Sequence, residues 1–221
     1  IAPLYEAALN EPETAVRAWQ AVLEIDPNDG EALESLAQLH LSTGAFNGLA
    51  EIYTRKIELT DRADERRMLF MQSARIYEEN LQEPERAIEQ LRALLAETPG
   101  DGEALAELDR ILTAEARAAD LVEVLDQRAA GARSAADRDE LAFRAARLVE
   151  TDLGDVEGAI GRFAQILAGT PAHSGAREAL TAIARGDDYR LAAVAVLEPI
   201  ERAARSWDRV VELLELRLAV E

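Results

Sequence analysis

His40 and His173 are the two histidines of the chain, and histidine is the side chain best suited to bind metal or carry a proton near neutral pH. Neither has a second ligand at a spacing that would hold zinc. No cysteine is present to supply a thiolate or a disulfide. Gly186-Asp187-Asp188 could pass for a carboxylate pair on a metal, but between helical stretches it reads as a loop with a capping acid. The stretch from Thr43 to Gly48 holds two glycines yet follows no strand, so it is not a loop that cradles phosphate. Pairs of Asp and Glu could serve as acid and base; among 43 acidic residues such pairs arise by chance. These motifs point away from an enzyme and call for no cofactor and no metal. Of the two histidines, His40 is expected to replace a packing aromatic and His173 to cap or flank a helix start.

The 43 acidic residues face 24 basic ones, a net charge of −19. Such a surface repels a phosphate backbone and an anionic membrane, so nucleic acid is not expected as a partner. No apolar run approaches the roughly 18 residues a membrane span needs. A soluble protein is expected, with the cytoplasm favoured. Lys56 is the single lysine, and the preference for arginine, alanine and leucine fits a GC-rich bacterial codon bias.

The elements that must position any site are set by a repeat. Pro27, Pro99 and Pro171 lie 72 residues apart. The same step links Ala15, Ala87 and Ala159, then Leu23, Leu95 and Leu167, then Leu36, Leu108 and Leu180. Self-similarity without an insertion marks a stacked repeat. Apolar residues such as Ala15, Trp19, Val22 and Leu23 recur at helical spacing, and Pro27 closes a helix that the next capping residue restarts. The pattern predicts helices over 2–9, 12–25, 30–43, 46–60, 63–80, 84–97, 102–115, 119–132, 136–152, 156–168, 174–185, 189–204 and 206–220. Period-2 strand signals are absent. Loops of two to four residues make neighbouring helices antiparallel hairpins. The whole chain, 1–221, reads as one domain of double-repeat blocks 11–82, 83–154 and 155–221.

The hairpins resemble the tetratricopeptide repeat family. Leu36 and Ala37 stand where that family has a Leu-Gly pair, His40 at its aromatic position, Gly44 and Phe46 at the turn, and Leu49 and Tyr53 on the second helix. Ala74, Tyr77, Ala87, Leu91, Leu94 and Pro99 match a further unit with one residue inserted at the turn. Ala146, Ala159, Phe163, Ile166 and Pro171 match another. The array is also similar to long repeat arrays of myxobacterial type. The resemblance implies an all-α, right-handed superhelical solenoid of about six hairpins and a role in assembling proteins. Asp109 departs from the pattern at a position held by Ala37: it sits at a helix crossing paired with an arginine, or the crossing is looser there. After residue 185 the step of 72 blurs, and residues 197–218 align better with 36–57.

In such a stack the first helix of each hairpin lines the concave side, which suits an extended peptide or a partner helix. A protein scaffold is therefore expected; a structural segment of a longer rod is the alternative. The inner stripes are Glu34, Gln38 and Leu41; Met71, Arg75 and Glu78; Ala106, Arg110 and Thr113; and Phe143, Arg147 and Glu150. Arg75, Arg110 and Arg147 fall in a row, with Met71 and Phe143 as apolar footing. These arginines either meet carboxylates of a bound segment or pair with Glu78, Glu107 and Glu150 to relieve repulsion. Glu34 and Gln38 cannot supply the cationic clamp with which some family members hold acidic chaperone tails. Residues 206–220 are apolar enough to suggest a piece of a longer array, or end-to-end self-association. Otherwise this last helix folds onto 189–204 and shows a polar stripe of Arg209, Glu212 and Glu215.

Overall fold

The computed structural model describes residues 12–219. These form twelve α-helices: α1 (Pro12–Ile25), α2 (Gly30–Thr43), α3 (Phe46–Leu59), α4 (Ala63–Arg75), α5 (Pro84–Glu97), α6 (Gly102–Ala114), α7 (Ala118–Ala130), α8 (Ala135–Thr151), α9 (Val156–Gly169), α10 (Ser174–Arg185), α11 (Arg190–Ala203) and α12 (Trp207–Leu218). No strand occurs among the described residues. No described helix is long and apolar enough to cross a membrane. The helix expected over 2–9 lies outside the described residues. Several expected helices end one residue early or late, as helix ends fray.

The step of 72 is written into the caps. Asp29, Asp101 and His173 each accept a backbone N–H from the residue three positions on, Ala32, Ala104 and Ala176, at 2.8, 2.9 and 3.1 Å. Each cap satisfies one of the orphan donors at a helix start. These caps open α2, α6 and α10, the first helices that follow the prolines. Where a first helix turns into its second, the chain closes in two ways. The shorter closure puts Gly44, Ala116 and Arg205 at φ 71°, 53° and 57°, with Ala45 N–H donating to His40 O, Arg117 to Leu112 O and Ser206 to Glu201 O. The longer one puts Gln82 and Gly154 at φ 58° and 70° and spans one more residue, from Glu83 N–H to Tyr77 O and from Asp155 N–H to Val149 O. Before Gln82 the extra residue is absorbed by a π-helical turn, Ile76–Asn80, that prolongs α4. Hairpins of two closures alternate, which is why the sequence repeats every two hairpins rather than every one.

The chain divides into two compact units, residues 1–104 and 105–221, with the boundary inside α6. In the first, α1 packs on α2, α2 on α3, α3 on α4 and α4 on α5. Leu33, Leu36, Leu49, Leu69, Phe70, Ile88, Leu91 and Leu94 fill its core. In the second, α7 packs on α8, α8 on α9, α9 on α10, α10 on α11 and α11 on α12. Leu108, Leu112, Leu125, Phe163, Leu167, Leu180 and Leu197 are its largest buried side chains. Connections of a few residues between packed neighbours make the pairs antiparallel, the tetratricopeptide-like arrangement.

The blurring after residue 185 has a structural cause. The α11–α12 turn at Arg205 has the backbone of the Gly44 turn. Helix α11 therefore stands as a first helix and α12 as a second, one place off the step of 72. The α10–α11 connection at Gly186–Tyr189, which lacks a left-handed residue, is where the phase shifts.

Candidate partner-binding face

In the first unit the inner stripes fall on α2 and α4. Glu34 accepts from Lys56 Nζ at 2.6 Å and from Gln38 at 3.4 Å. The Lys56 hydrogen bond holds the Glu34 carboxyl below its ordinary value. Leu41 is exposed. On α4, Met71 is half-buried and Arg75 exposed. Arg75 reaches Glu79 at 3.9 Å, one residue beyond the Glu78 expected for it. Glu78 is half-buried, and its carbonyl accepts from Gln82 at 3.2 Å.

His40, at the end of α2, packs its ring over the turn. A Cβ on Gly48 would lie 2.8 Å from it, so glycine is what admits the imidazole there. Burial pushes the His40 pKa down, against the opposing pull of Glu51.

In the second unit the stripes fall on α6 and α8. Ala106 is exposed. Arg110 pairs with Glu107 at 2.8 Å and Arg147 with Glu150 at 2.6 Å, each within one helical turn. Thr113 Oγ1 donates to Asp109 O at 2.6 Å and accepts from Arg144 Nη2 at 2.8 Å. Phe143 is half-buried: its ring lies 5.8 Å from Phe163 and 5.2 Å from His173. A Cβ on Gly175 would come within 2.8 Å of it. Phe143 is thus wedged against the start of α10, and only its remaining edge is open to a ligand.

Asp109 resolves as the first of its two alternatives. It is 3% exposed where α6, α7 and α8 meet, held by Arg128 from α7 and by Arg144 from α8, whose Nη2 lies 2.6 Å from Oδ1. Burial and the nearby Arg144 lower the Arg128 pKa. At the equivalent places one block earlier stand Ala37, Lys56 and Gln72. The sequence singled out Asp109 but not which arginines answer it.

A cluster that sequence reasoning missed lies in a cavity of about 270 Å³ between α10, α11 and α12. At its base Glu201, 2% exposed, takes Nε of Arg177 at 2.9 Å, with Arg209 at 3.6 Å. Burial works to raise the Glu201 carboxyl, but the hydrogen bond from Arg177 and the charge of Arg209 outweigh it and hold the pKa low. Arg185 meets Glu212 at 2.7 Å at the mouth. The spacing along the last helix marks Arg209 and Glu212 as part of an outer polar stripe, but not their pairing with Glu201 and Arg185, which come from other helices outside the inner stripes. Among the described residues no group of three or more His, Asp or Glu is placed to hold a metal ion.

No protein-family model matches the chain, and no curated protein matches it. Solved structures of tetratricopeptide-repeat proteins do. One is YrrB, described as a TPR protein with an unusual peptide-binding site, at 16% identity over 81% of this chain and 88% of that one, TM-score 0.41. A second is MamA, at 14% identity over 86% and 90%, TM-score 0.39. A third is the C-terminal part of a TPR repeat-containing protein from Cytophaga hutchinsonii, at 9% identity over 99% and 93%, TM-score 0.39.

Proposed function

We propose that this chain is a protein-interaction scaffold whose first helices grip an extended or helical segment of a partner protein, with binding rather than catalysis as its activity. The observation that carries the proposal is the kind of ion pair found on that face. Arg110 and Arg147 pair with glutamates one turn away on their own helices, and Arg75 stands in long contact with Glu79. Pairs at this spacing within one helix contribute about 0.2–0.5 kcal/mol, so a carboxylate on a partner can replace the glutamate at little cost. The arginines that hold helices together are of a different kind: Arg67 on Asp101 and Arg177 on Glu201 reach buried carboxylates across helices. The face takes in Met71, Arg75 and Glu78 in the first unit and Arg110, Thr113, Arg147, Glu150 and the open edge of Phe143 in the second; Arg75, Arg110 and Thr113 are exposed and the others half-buried.

The test is the triple substitution of Arg75, Arg110 and Arg147 by alanine. Capture of a partner from the native host is lost while the melting temperature stays within a degree or so. A lowered melting temperature with capture intact would show that these arginines serve the fold alone.

A further inference from the structure

In the first unit Arg66 on α4 has two companions. Its guanidinium lies 5.8 Å from the centroid of the Phe70 ring, close enough for a cation–π contact. Its Nε donates to the Glu97 carboxylate, at the end of α5, at 2.9 Å. Phe70 is buried, as is Ile57 on α3. One step of 72 further on, the arginine is kept as Arg138 and both companions are replaced. Phe70 becomes Ala142 and Glu97 becomes Gly169, while Ile57 becomes Ala129. The helices around the two arginines correspond, α4 packing on α3 and α5 as α8 packs on α7 and α9.

A cavity of about 260 Å³ opens at this place between α7, α8 and α9, in the middle of the second unit, lined by Arg138, Ala142, Ala129 and Ile166. On one side Arg162 of α9 grips Asp126 of α7 through two hydrogen bonds, at 2.8 and 2.9 Å. Ala142 is half-buried where Phe70 is buried, and the Arg138 side chain is 53% exposed. Arg138 turns to its chain neighbour Asp139 at 3.1 Å, and Asp139 in turn accepts from Thr170. A cavity of about 150 Å³ is enough to admit benzene, so this one has room for a phenyl ring.

We propose that this cavity binds a small aromatic carboxylate, whose ring takes the place of Phe70 and whose carboxylate takes the place of Glu97. The ring rests on Ala142, Ala129 and Ile166 with the Arg138 guanidinium against its face. The carboxylate accepts from Arg138 in a charge-assisted hydrogen bond. Each half of the ligand thus replaces one group that the first unit supplies from its own chain. Arg138 and Ala142 lie on a different side of α8 from Phe143, Arg147 and Glu150, since successive helical residues are turned by about 100°. The site is therefore separate from the first-helix face and does not compete with a partner held there.

Titration of the whole chain with 3-phenylpropionate, followed by amide NMR shifts, tests this. At about millimolar concentration the probe should shift residues lining the cavity on α7, α8 and α9 and leave the first unit unmoved. Propionate lacks the ring and 3-phenylpropanamide the charge; each should bind about tenfold more weakly or worse. Ala142→Phe restores the ring of the first unit and should abolish binding. Gly169→Glu restores its carboxylate and should weaken binding about tenfold; a Cβ at Gly169 meets no neighbour within 4 Å. The two substitutions fill the site from different helices, so a failure of one to fold leaves the other to decide. A wild type that the probe does not shift would overturn the proposal, as would binding unchanged in a folded variant. A peptide ending in phenylalanine that binds more tightly than 3-phenylpropionate would give the site to a chain end and overturn the small molecule as its ligand.

Discussion

Asp101 and His173 stand one 72-residue step apart and cap their helices in the same way, Asp101 Oδ1 on the Ala104 N–H at 2.9 Å and His173 Nδ1 on the Ala176 N–H at 3.1 Å. Their lateral neighbours are inverted. Asp101 is held by Arg67. The residue one step on from Arg67 is Asp139, whose carboxyl is kept low by hydrogen bonds from Thr170 and Arg138 and by the nearby His173. One block pairs a basic helix residue with an acidic cap; the next has an acidic helix residue beside an imidazole that can accept through Nδ1 only while that nitrogen is unprotonated.

This inversion predicts a non-additive pair of substitutions. His173→Asp alone keeps a good capping residue but sets a second carboxylate beside Asp139, which is buried; it should cost about 1–2 kcal/mol. Asp139→Arg with His173→Asp rebuilds the arrangement of Arg67 and Asp101 and should recover most of the loss. Urea unfolding of both singles and the double gives the coupling directly. A double variant whose loss equals the sum of the two singles would show that the two positions do not interact.

Asp101 also sets a pH dependence. The Arg67 hydrogen bond, helped by the Ala104 N–H, holds its carboxyl below the ordinary range against the effect of burial. A depressed folded-state pKa contributes stability that is fully present above the unfolded value near 3.9 and is lost as pH falls through the lower folded value. Asp101→Asn keeps the cap and removes the charge. It should be destabilised relative to wild type at pH 7, by about 1 kcal/mol since Arg67 is part exposed, and the gap should close under strongly acidic conditions. Denaturant midpoints across that range decide it; a gap that persists in acid would assign the loss to the cap.

Asp109→Ala should cost about 2 kcal/mol, because it leaves Arg128 and Arg144 facing each other at a buried position. The neighbouring block shows the remedy. Replacing all three with their counterparts, Asp109→Ala, Arg128→Lys and Arg144→Gln, copies Ala37, Lys56 and Gln72 and should return to within about 1 kcal/mol of wild type, since a buried ion set is often replaceable as a whole. Thermal unfolding of the single and triple variants checks this. A triple variant as weak as the single would mean the ions contribute net stability.

Phe143 and Gly175 form a size-matched pair. Gly175→Ala should destabilise by about 1–2 kcal/mol through overpacking on the Phe143 ring. Phe143→Met, the residue at the equivalent Met71, should relieve it. If Gly175→Ala is neutral on its own, the ring has room to move and Phe143 is freer to meet a ligand than its packing indicates.

Much of this architecture was legible because each hairpin carries local signals. Helices α2, α4 with its π turn, α5 and α10 run as the apolar spacing and capping residues predict, and the residue inserted at the α4–α5 turn shows as the longer closure at Gln82. The phase shift at Gly186–Tyr189 was visible only as a poorer match. A shift of one helix changes which hairpin a segment joins and leaves its own periodicity intact. The site was less legible. The stripes place Arg110 and Arg147 correctly beside Glu107 and Glu150, since those contacts lie within one turn. The wedge of Phe143 on Gly175, the two arginines on Asp109 and the Glu201 cluster join residues from separate helices, which no spacing along one helix records.

The central claim, that a partner is held on the first helices, is tested most directly by site-specific photocrosslinking. A photoreactive residue at Thr113 or Arg147 reports on the first-helix face, and one at Glu123 or Asp126 on the second helix α7. The account predicts crosslinks to a captured partner from Thr113 and Arg147 and none from Glu123 or Asp126. Crosslinks from the α7 positions alone would contradict it.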